Sequence, residues 1–390
     1  FFHPAQHGFR KSYSCETQLL LFTHRLHTIL DHRSIADCIF LDFAKAFDKV
    51  CHRLLLLKLR MIGLDTNVLR WLECFLTGRQ QFVSANSVNS CPHPVLSGVP
   101  QGTVLGPLLF LIFINDLPNC VTSSIHLFAD DCVLYREIIT EDDIQAIQAD
   151  INNISSWCET WKMTLNVKKC KFMRISRTTC DLPTYHLNNI ALESVTTYKY
   201  LGIHITCNLS WKTHVEFIIR KANRMLGYLK RNFHAAPTDT KLLFYKTLVR
   251  SQLEYGSSIW DPGIKILINQ IEMIQNNAAR FIFSNYNRTS SISTMKSNLN
   301  LLSLASRRYL ARLCMFHKIF HHNILHDQLL IPPSYVSSRL DHIHKVGTFI
   351  CNTKTFSDSF LPRTSVDWNR LPSSVAMITQ PSLFQSAIRN

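Results

Sequence analysis

The sequence lacks the features that mark several common protein classes. Its thirteen cysteines include no C-x-x-C pair, which argues against a zinc ribbon or a disulfide framework and for reduced thiols in the cytosol or nucleus. The chain opens without the charged and apolar segments of a secretory signal. Its longest apolar run, VLGPLLFLIFIN, is interrupted by Gly106 and Pro107 and falls short of the roughly 18–20 residues that span a bilayer. We therefore predict an intracellular protein without a membrane-spanning helix.

Acidic residues are scarce as well: 27 Asp and Glu stand against 42 Lys and Arg, which gives a formal charge of +15. Such an excess indicates a polyanionic partner, nucleic acid before membrane, although a merely basic soluble protein is the alternative. The excess is regional, because residues 208–325 carry seventeen Lys or Arg and only five Asp or Glu. A regional excess favours a phosphate-contacting surface over a solvated basic face, with Arg220, Lys221 and Arg224 as candidates for nucleic-acid contacts.

The apolar pattern predicts an α+β domain up to about residue 206 and mainly helical structure beyond it. The chain is 390 residues long and 46% hydrophobic, enough for two or three domains with a sizeable core. Ser14 is a candidate cap for a helix over residues 14–32. The segment CIFLDF, residues 38–43, is apolar on both faces, as a central buried strand is.

Later segments add a helix and a further strand. Thr140 and Asp143 are expected to form a capping box. Behind it, apolar residues recur at spacings of three and four over residues 144–161, which we interpret as the core-facing side of a helix. The segment YKYLGIHIT, residues 198–206, predicts one more strand.

The stretch LFADDCVLY places two aspartates inside an apolar run, and we predict two strands joined tightly at Asp130–Asp131. A lone pair of aspartates at a hairpin tip is usually only a turn, because aspartate tolerates turn dihedrals and favours water. A further carboxylate, Asp42, lies near the end of the predicted buried strand and is a candidate to converge with this pair. Bare carboxylates in a core would be costly and would raise each other's pKa.

Divalent cations remove both penalties, and Mg²⁺ commonly binds one or two carboxylates together with substrate phosphates. Adjacent side chains of a regular strand point to opposite faces, so Asp130 is expected to be the direct ligand and Asp131 to flank it. Two such ions about 3.5–4 Å apart can activate an attacking hydroxyl and steady the leaving oxygen of a phosphoryl transfer. The aspartates therefore predict metal-dependent phosphoryl transfer.

Five segments resemble, in order and approximate spacing, the palm motifs of reverse transcriptases, most closely those of non-LTR (LINE-type) retrotransposons of the jockey and CR1 kind. They are FLDFAKAFDKV, SGVPQGTVLGPLLFLIFINDL, FADD, LNVKKCKFM and YKYLGI. QHGFRKSYSCETQLL resembles the segment before the first palm strand, and LLFYKTLVRSQLEYGSSIWDP and VDWNRLPSSV resemble the thumb and the post-thumb tail. The resemblance implies an RNA-directed DNA polymerase, a nucleotidyltransferase that adds dNTPs to a primer 3′-hydroxyl during retrotransposition.

The same resemblance implies a fold, domains and partners. The fold is α+β: a right-hand polymerase palm, with an antiparallel sheet and packed helices, followed by a mainly helical thumb. The palm with partial fingers is expected over residues 1–206, the helical thumb or connection over 207–325, and a C-terminal tail region over 326–390. The implied partners are an RNA template, a DNA primer or target DNA, and dNTPs, with no membrane.

The resemblance also assigns the metal ligands. Residues that match Asp42 and Asp130 hold two metal ions in this family, and the residue that matches Asp131 supports them. The backbone carbonyl of Phe43 would complete one coordination shell. The implied ions are Mg²⁺, with Mn²⁺ as a substitute.

Other residues are implied to bind the nucleotide or assist its reaction. The backbone amides of Lys45 and Ala46 would meet the triphosphate. Phe47 would be a steric gate that excludes a 2′-hydroxyl and so selects dNTPs, with plain core packing as the alternative. Lys169 would protonate the pyrophosphate leaving group, with Lys168 as a competing assignment.

Two further sets of residues are implied to contact the nucleic acid. The residues expected beneath the nascent base pair are Gly98, Pro100, Gln101 and Gly102, and those expected in a primer grip are Tyr200, Leu201 and Gly202. Glycine lets the backbone approach a nucleotide closely, and Gln101 offers an amide for dNTP and template contacts. An ordinary turn at the start of a helix is the alternative for the first set.

One departure from the family concerns the fingers. In relatives, basic residues upstream of QHGFR clamp the triphosphate, and the sequence contains neither these residues nor an endonuclease domain. The chain is therefore expected to be a fragment with weakened nucleotide binding. Two alternatives follow: a catalytically inactive, nucleic-acid-binding remnant of a retroelement, and an RNA-dependent RNA polymerase, which Phe47 disfavours.

Overall fold

The computed structural model describes residues 1–178, 181–322, 325–337, 339 and 341–389. The chain forms two compact units, of which the first contains Phe1–Gln18 and Arg33–Tyr198 and the second contains Leu19–His32 and Lys199–Asn390. The first unit holds a sheet with packed helices and the second is mainly helical, so the predicted α+β class is confirmed. The division of the chain at residues 206 and 325 stays a prediction.

The first unit alternates strands and helices, and its first helix continues into the second unit. In chain order the elements are α1 (Cys15–Asp31), β1 (Ile35–Leu41), α2 (His52–Met61), α3 (Thr66–Leu76), β2 (Gln80–Gln81), β3 (Ser84–Ala85), β4 (Val88–Asn89), β5 (His93–Pro94), α4 (Leu105–Ile114), a 3-10 turn (Leu117–Cys120), β6 (Ser124–Phe128), β7 (Asp131–Ile138), α5 (Glu141–Trp161), β8 (Lys171–Ile175), β9 (His186–Leu187), β10 (Ile190–Ala191) and β11 (Glu193–Ser194).

A hairpin of β12 (Thr197–Tyr200) and β13 (Ile203–Thr206) precedes the helices of the second unit. Those helices are α6 (Lys212–Asn232), α7 (Thr238–Phe244), a π-helical segment (Tyr245–Arg250), α8 (Ser251–Glu254), α9 (Ser257–Trp260), α10 (Lys265–Ile282), α11 (Ile292–Asn298), α12 (Leu304–His322), α13 (His326–Leu329), α14 (Lys354–Ser357), α15 (Phe360–Asn369), α16 (Ser373–Ala376) and α17 (Pro381–Ala387).

The main sheet has five strands in the order β11-β8-β1-β7-β6. Strand β1 lies in the centre and runs antiparallel to β7 and β8, while β11 pairs in parallel with β8. Every residue of β1 after the first is buried, which confirms the prediction of a central buried strand. The strand spans Ile35–Leu41, however, and not the predicted residues 38–43.

The earlier start of β1 brings Asp37, a fully buried carboxylate, into the strand. Arg174 on β8 donates from Nε and Nη2 to the two carboxylate oxygens, each at 2.7 Å, and the Tyr185 hydroxyl donates at 2.7 Å. These bonds neutralise the charge and satisfy its acceptors, so Asp37 can lie in the core. Local sequence could not reveal this, because Arg174 is 137 positions away.

Strands β6 and β7 form the predicted hairpin, but the turn is Ala129–Asp130 and not Asp130–Asp131. Asp131 is the first residue of β7 and pairs with Phe128. Ala129 adopts the left-handed conformation, with φ of 56°. The buried side chain of Gln6 accepts a hydrogen bond from the Ala129 amide at 2.9 Å, and this long-range contact fixes the turn one residue earlier than expected.

The predicted helix caps and the core face of α5 are confirmed. Ser14 Oγ accepts a hydrogen bond from the Thr17 amide at 3.3 Å at the start of α1, and Thr140 and Asp143 form the capping box of α5. The predicted core face of α5 packs inward, with Ile147, Ile151, Ile154 and Cys158 buried and Ile144 and Trp161 partly buried.

The single strand predicted for residues 198–206 was wrong, because this segment turns back on itself between β12 and β13. Leu201 and Gly202 are both left-handed, with φ of 45° and 86°, as the tight turn of a two-residue hairpin loop requires. A Cβ on Gly202 would lie 2.9 Å from the Tyr255 ring, so glycine is needed for this close approach. Leu-Gly is not one of the usual turn dipeptides, so the sequence did not predict a hairpin here.

A buried network of charges joins three helical segments of the second unit. Asp261, after α9, accepts from Arg308 Nε at 2.7 Å and from Arg312 Nε at 3.1 Å, both on α12. Arg363 of α15 lies 3.1 Å from the same carboxylate. Arg308 and Arg312 are only 1% and 2% exposed, so this part of the core depends on mutual charge compensation.

Two further findings concern the part of the chain that the structure describes. None of the helices within the described residues has the length and apolar character needed to cross a membrane. The twelve cysteines that the structure describes are all free thiols.

Candidate active site

The carboxylates of Asp42, Asp130 and Asp131 converge at one end of the main sheet. The β1–β7 register pairs Leu41 with Cys132, so Asp42, which follows β1, lies opposite Asp131 at the start of β7. Asp130 is the second residue of the adjoining turn. A central strand and the tip of the neighbouring hairpin thus bring together groups that are far apart in the sequence.

The pKa values of Asp130 and Asp131 are raised in this setting. Burial raises the pKa of Asp130, helped by the charge of Asp42 and opposed by a backbone hydrogen bond. Burial and the charges of Asp130 and Asp42 raise the pKa of Asp131 to about 6, although one side of this residue remains in solvent. Burial, Asp131 and Asp42 also raise the pKa of the nearby Tyr198 hydroxyl to about 12. Repulsion of this kind is what a bound cation relieves.

Asp42 has an unsatisfied oxygen, and Lys169 lies next to it. Oδ2 of Asp42 is buried and accepts no hydrogen bond from the described residues. Lys169 Nζ lies 3.6 Å from this oxygen, close enough for an ion pair but too far for a hydrogen bond. Lys168, the competing assignment, forms no such ion pair with Asp42 among the described residues. Of these two lysines, Lys169 is therefore the one that contacts Asp42.

These residues fit part of the ligand shell of a divalent cation. No group of three or more His, Cys, Asp or Glu within the described residues is arranged as a ready-made metal centre. The fit rests on the unsatisfied buried oxygen of Asp42 and on the burial, helped by repulsion between the carboxylates, that raises the pKa of Asp130 and Asp131. A magnesium-type site commonly takes one or two carboxylates and completes its shell with water and substrate phosphates.

The turn after β1 offers backbone groups that lack partners among the described residues. The Asp42 carbonyl accepts from the Asn166 amide at 2.7 Å, whereas the Phe43 carbonyl accepts no hydrogen bond there. The amides of Lys45 and Ala46 likewise donate to no described residue. Lys45 is left-handed, with φ of 52°, and successive amides around such a residue can form an anion-binding concavity.

Phe47 is held by aromatic packing and remains partly exposed. Its ring stacks on buried Phe110 with centroids 4.3 Å apart and planes at 25°. Phe9 meets it edge-on at 6.3 Å. Core packing therefore fixes the ring, while its exposed part can still meet a ligand.

The predicted loop over residues 98–102 is anchored at its first residue. Gly98 has φ of 86°, and a Cβ there would lie 2.7 Å from the Asp48 carbonyl oxygen, so only glycine fits. Its amide donates to the Val50 carbonyl at 2.8 Å. Its own carbonyl lies 2.8 Å from His52 Nε2 and accepts from Arg79 Nη2 at 2.9 Å.

The rest of this loop is more open. Pro100 is partly buried, whereas Gln101 and Gly102 are exposed. Gln101 Nε2 donates to Asp48 Oδ1 at 2.8 Å. Gly102 has φ of 78° and open space where a Cβ would lie.

The family model for reverse transcriptase (RNA-dependent DNA polymerase) matches residues 1–205, more than half of the chain. The chain belongs to the reverse transcriptase family. The resemblance drawn from the five motifs is thereby confirmed.

Several curated relatives of this reverse transcriptase come from insect mobile elements. It is 30% identical over 286 residues to the probable RNA-directed DNA polymerase from transposon X-element of Drosophila melanogaster, covering 71% of this chain and 31% of the relative. It is 27% identical over 347 residues to the corresponding protein from transposon BS of the same species, covering 82% of this chain and 37% of the relative. The chain thus spans about a third of these relatives.

A solved telomerase from Candida tropicalis, in complex with a fragment of telomeric RNA, aligns with 99% of the chain and 53% of its own length. The identity is 9% and the TM-score is 0.44, a level that supports no inference.

The predicted primer-grip residues of this reverse transcriptase lie in the second unit. Tyr200 is buried and meets Phe22 edge-on, with ring centroids 5.6 Å apart. Tyr255 donates from its hydroxyl to the Leu201 carbonyl at 3.0 Å and covers Gly202. The turn thus contacts the helical part of this unit through Tyr255.

The predicted nucleic-acid contacts Arg220, Lys221 and Arg224 are exposed on α6, also in the second unit. Arg220 borders a groove of about 410 Å³ between α6 and α10, whose lining includes Met273 and Asn277. The basic side chains therefore lie on a solvent-facing surface and not in the core.

Three residues that shape the site were missed by sequence reasoning. Cys170 Sγ accepts a hydrogen bond from the Asp42 amide at 3.4 Å, and Tyr198 stacks on Phe40 with centroids 3.9 Å apart. Gly106 lies at the start of α4, where a Cβ would be 2.2 Å from the Pro100 carbonyl. All three lie within the family motifs, and their position there was the one feature of the sequence that could have identified them. Their partners could be known only from the fold.

Proposed function

We propose that the first unit catalyses RNA-directed DNA synthesis, in which a dNTP is added to a primer 3′-hydroxyl and pyrophosphate is released. The observation that carries the proposal is the convergence of Asp42, at the end of a central strand, with Asp130 and Asp131 at the neighbouring hairpin. Three neighbouring carboxylates are costly without a cation, and two-metal phosphoryl transfer requires such a group. Membership of the reverse transcriptase family supports the same reaction.

Asp42 and Asp130 are proposed to hold two Mg²⁺ ions, or Mn²⁺, with the Phe43 carbonyl as a further ligand and Asp131 in support. Bound ions would neutralise the carboxylates and the triphosphate and polarise the reacting oxygens. The contribution of the chain is to fix positions. Because β1 and β7 are hydrogen-bonded neighbours, Asp42 after β1 and Asp130 before β7 would reach the ions with little reorganisation.

Lys169 is proposed to carry the proton that the pyrophosphate leaving group takes up. Its Nζ lies 3.6 Å from Asp42 Oδ2, and its side chain is 67% exposed, so a substrate can reach it. A positioned general acid of this kind contributes about 10²–10⁴-fold to the rate.

The incoming nucleotide is proposed to bind the turn after β1. The unpaired amides of Lys45 and Ala46 suit the triphosphate. The partly exposed Phe47 ring, fixed by its stack on Phe110, would exclude a 2′-hydroxyl and so select dNTPs.

The RNA template and the DNA primer are proposed to contact both units. In the first unit, the loop of Gly98, Pro100, Gln101 and Gly102 would lie beneath the nascent base pair. In the second unit, the turn at Tyr200, Leu201 and Gly202 would grip the primer, and Arg220, Lys221 and Arg224 would meet phosphates. Within a complete element, the enzyme would copy the element's own RNA at a nicked chromosomal target.

The test is dTTP incorporation on a poly(rA)/oligo(dT) primer–template with Mg²⁺, with Asp130→Asn as the matched control. We expect incorporation by the wild type and a loss of at least about 100-fold in the variant, because the lost carboxylate is a metal ligand. Equal signals would refute the proposal. Binding that falls steeply with salt, without incorporation, would then favour the nucleic-acid-binding remnant. Comparing rNTPs with dNTPs tests the RNA polymerase alternative.

A further inference from the structure

A polar pocket of about 530 Å³ lies beside the loop that carries Gln101. Its lining includes Asp48, Arg79, Ser97 and Gln101. Asp48, directly after Phe47, forms part of one wall. The Val99 amide donates to the Phe47 carbonyl at 2.9 Å. The segment that carries the proposed steric gate and the loop proposed to lie beneath the base pair are therefore joined directly.

The backbone contacts fix the loop at Gly98 and Val99 but do not fix the Gln101 side chain. The next residue, Gly102, has open space where a Cβ would lie, and the Gln101 side chain itself is exposed. Within the described residues, its one hydrogen bond runs from Nε2 to Asp48 Oδ1 at 2.8 Å. Without Asp48, the long Gln101 side chain would sample several rotamers.

Asp48 also decides which end of the Gln101 amide is available. An ionised carboxylate can only accept hydrogen bonds, so the amide must turn its NH₂ group toward Asp48. The atom left for a ligand is Oε1, which can only accept. Held by Asp48 in this way, Gln101 can bind a ligand that offers an N–H or O–H donor.

We propose that Asp48 is a positioning residue for nucleotide binding. It holds Gln101 so that Oε1 accepts a hydrogen bond from a donor on the bound nucleotide, either a sugar hydroxyl or a base N–H. The inference rests on the proposed function for its ligand, and on the Asp48–Gln101 hydrogen bond for its geometry.

The first test follows the Gln101 side-chain amide by NMR in the full chain, assigned with Gln101→Ala. We expect this signal to move toward the position of a free glutamine in Asp48→Ala and to stay near its wild-type position in Asp48→Asn, whose Oδ1 can still accept. Adding dTTP with poly(rA)/oligo(dT) should shift the signal in the wild type but not in Asp48→Ala. The inference would be overturned if the Gln101 amide signal did not move in Asp48→Ala, or if the wild-type signal did not move when the nucleotide was added.

The second test is a double-mutant cycle on incorporation. Asp48→Ala should raise KM for dTTP about tenfold, as expected for one lost hydrogen bond, with kcat changed by less than about twofold. Asp48→Asn should restore KM to within about threefold of the wild type. In a Gln101→Ala background, Asp48→Ala should change KM by less than about twofold, because its target is gone.

Ser97→Ala is the matched control, since Ser97 Oγ donates to the Asp48 carbonyl at 2.8 Å and not to its carboxylate. This variant should leave the Gln101 signal in place. An Asp48→Ala effect of equal size with and without Gln101 would refute the positioning role. A wild type as inactive as Asp130→Asn would refute the proposed function instead, and the NMR test would still decide the inference.

Discussion

Lys169 places its ammonium nitrogen 3.6 Å from Oδ2 of Asp42. The contact follows from the way the segment before β8 is fastened to the end of β1. The Asn166 amide donates to the Asp42 carbonyl at 2.7 Å, and the Asp42 amide donates to Cys170 Sγ at 3.4 Å. The lysine is thus brought to the carboxylate by a backbone–backbone hydrogen bond at Asn166 and a backbone–thiol hydrogen bond at Cys170, one on each side of it in the sequence.

Lys169→Ala should lower kcat for dTTP incorporation by about 100-fold or more, because the leaving group loses its proton donor. Lys168→Ala is the matched control and should stay within about threefold of the wild type, since among the described residues the ion pair with Asp42 is formed by Lys169 and not by Lys168. The measurement is steady-state incorporation at saturating dTTP. Equal losses in the two variants would contradict the role given to Lys169.

Asp37→Ala should destabilise the first unit by about 3–5 kcal/mol, because it removes the carboxylate that neutralises the buried Arg174. Glu193→Ala is the control, because it breaks an ion pair with Lys171, which lies on β8 as Arg174 does. Glu193 is 68% exposed, so little stability should be lost. Urea unfolding measures both. If the two variants unfolded at the same urea concentration, the buried pair would not stabilise the sheet.

Acid should weaken the second unit through His214. Burial, helped by the charge of His204, lowers the pKa of His214 to about 3, and its Nδ1 accepts from the His204 amide at 3.2 Å. Between pH 6.5 and 3 the unfolded chain therefore binds a proton that the folded chain does not. The stability that this site contributes is complete above pH 6.5 and falls by up to about 1.4 kcal/mol per pH unit below it.

This pH dependence is measured by urea unfolding at pH 7 and pH 5. His214→Gln should lose less stability on acidification than the wild type, because glutamine can still accept the His204 hydrogen bond but does not titrate in this range. His186→Gln, at an exposed position, controls for the loss of a histidine. A wild-type slope in His214→Gln would refute the assignment.

Two glycines in helices should respond in opposite directions to alanine. At Gly106 a Cβ would lie 2.2 Å from the Pro100 carbonyl, so Gly106→Ala should cost about 1–3 kcal/mol and displace the loop before α4. At Gly227 in α6, the nearest atom is the flexible end of Arg231 at 3.4 Å, so Gly227→Ala should stabilise by about 0.5–1 kcal/mol. Thermal unfolding of both variants tests this, and matching shifts would contradict it.

Features encoded by neighbouring residues were predictable from the sequence. The Thr140–Asp143 capping box and the buried face of α5 depend on spacings of three and four, which any helix converts into contacts. The order of the motifs also identified the family and the carboxylates at Asp42, Asp130 and Asp131. The exact turn residues were not predictable, because the buried Gln6 selects Ala129 from 123 positions away.

By itself, the sequence determined the spacing of apolar residues in β1 and α5, the helix caps, and which aspartates and lysines are candidates for catalysis. Only the tertiary structure decided that Asp37 is a core residue, that Lys169 and not Lys168 contacts Asp42, and that Asp48 holds Gln101. The physical reason is range. Helix caps and periodic faces form between residues within one or two turns, whereas ion pairs and strand registers depend on groups that only the folded chain brings within hydrogen-bonding distance.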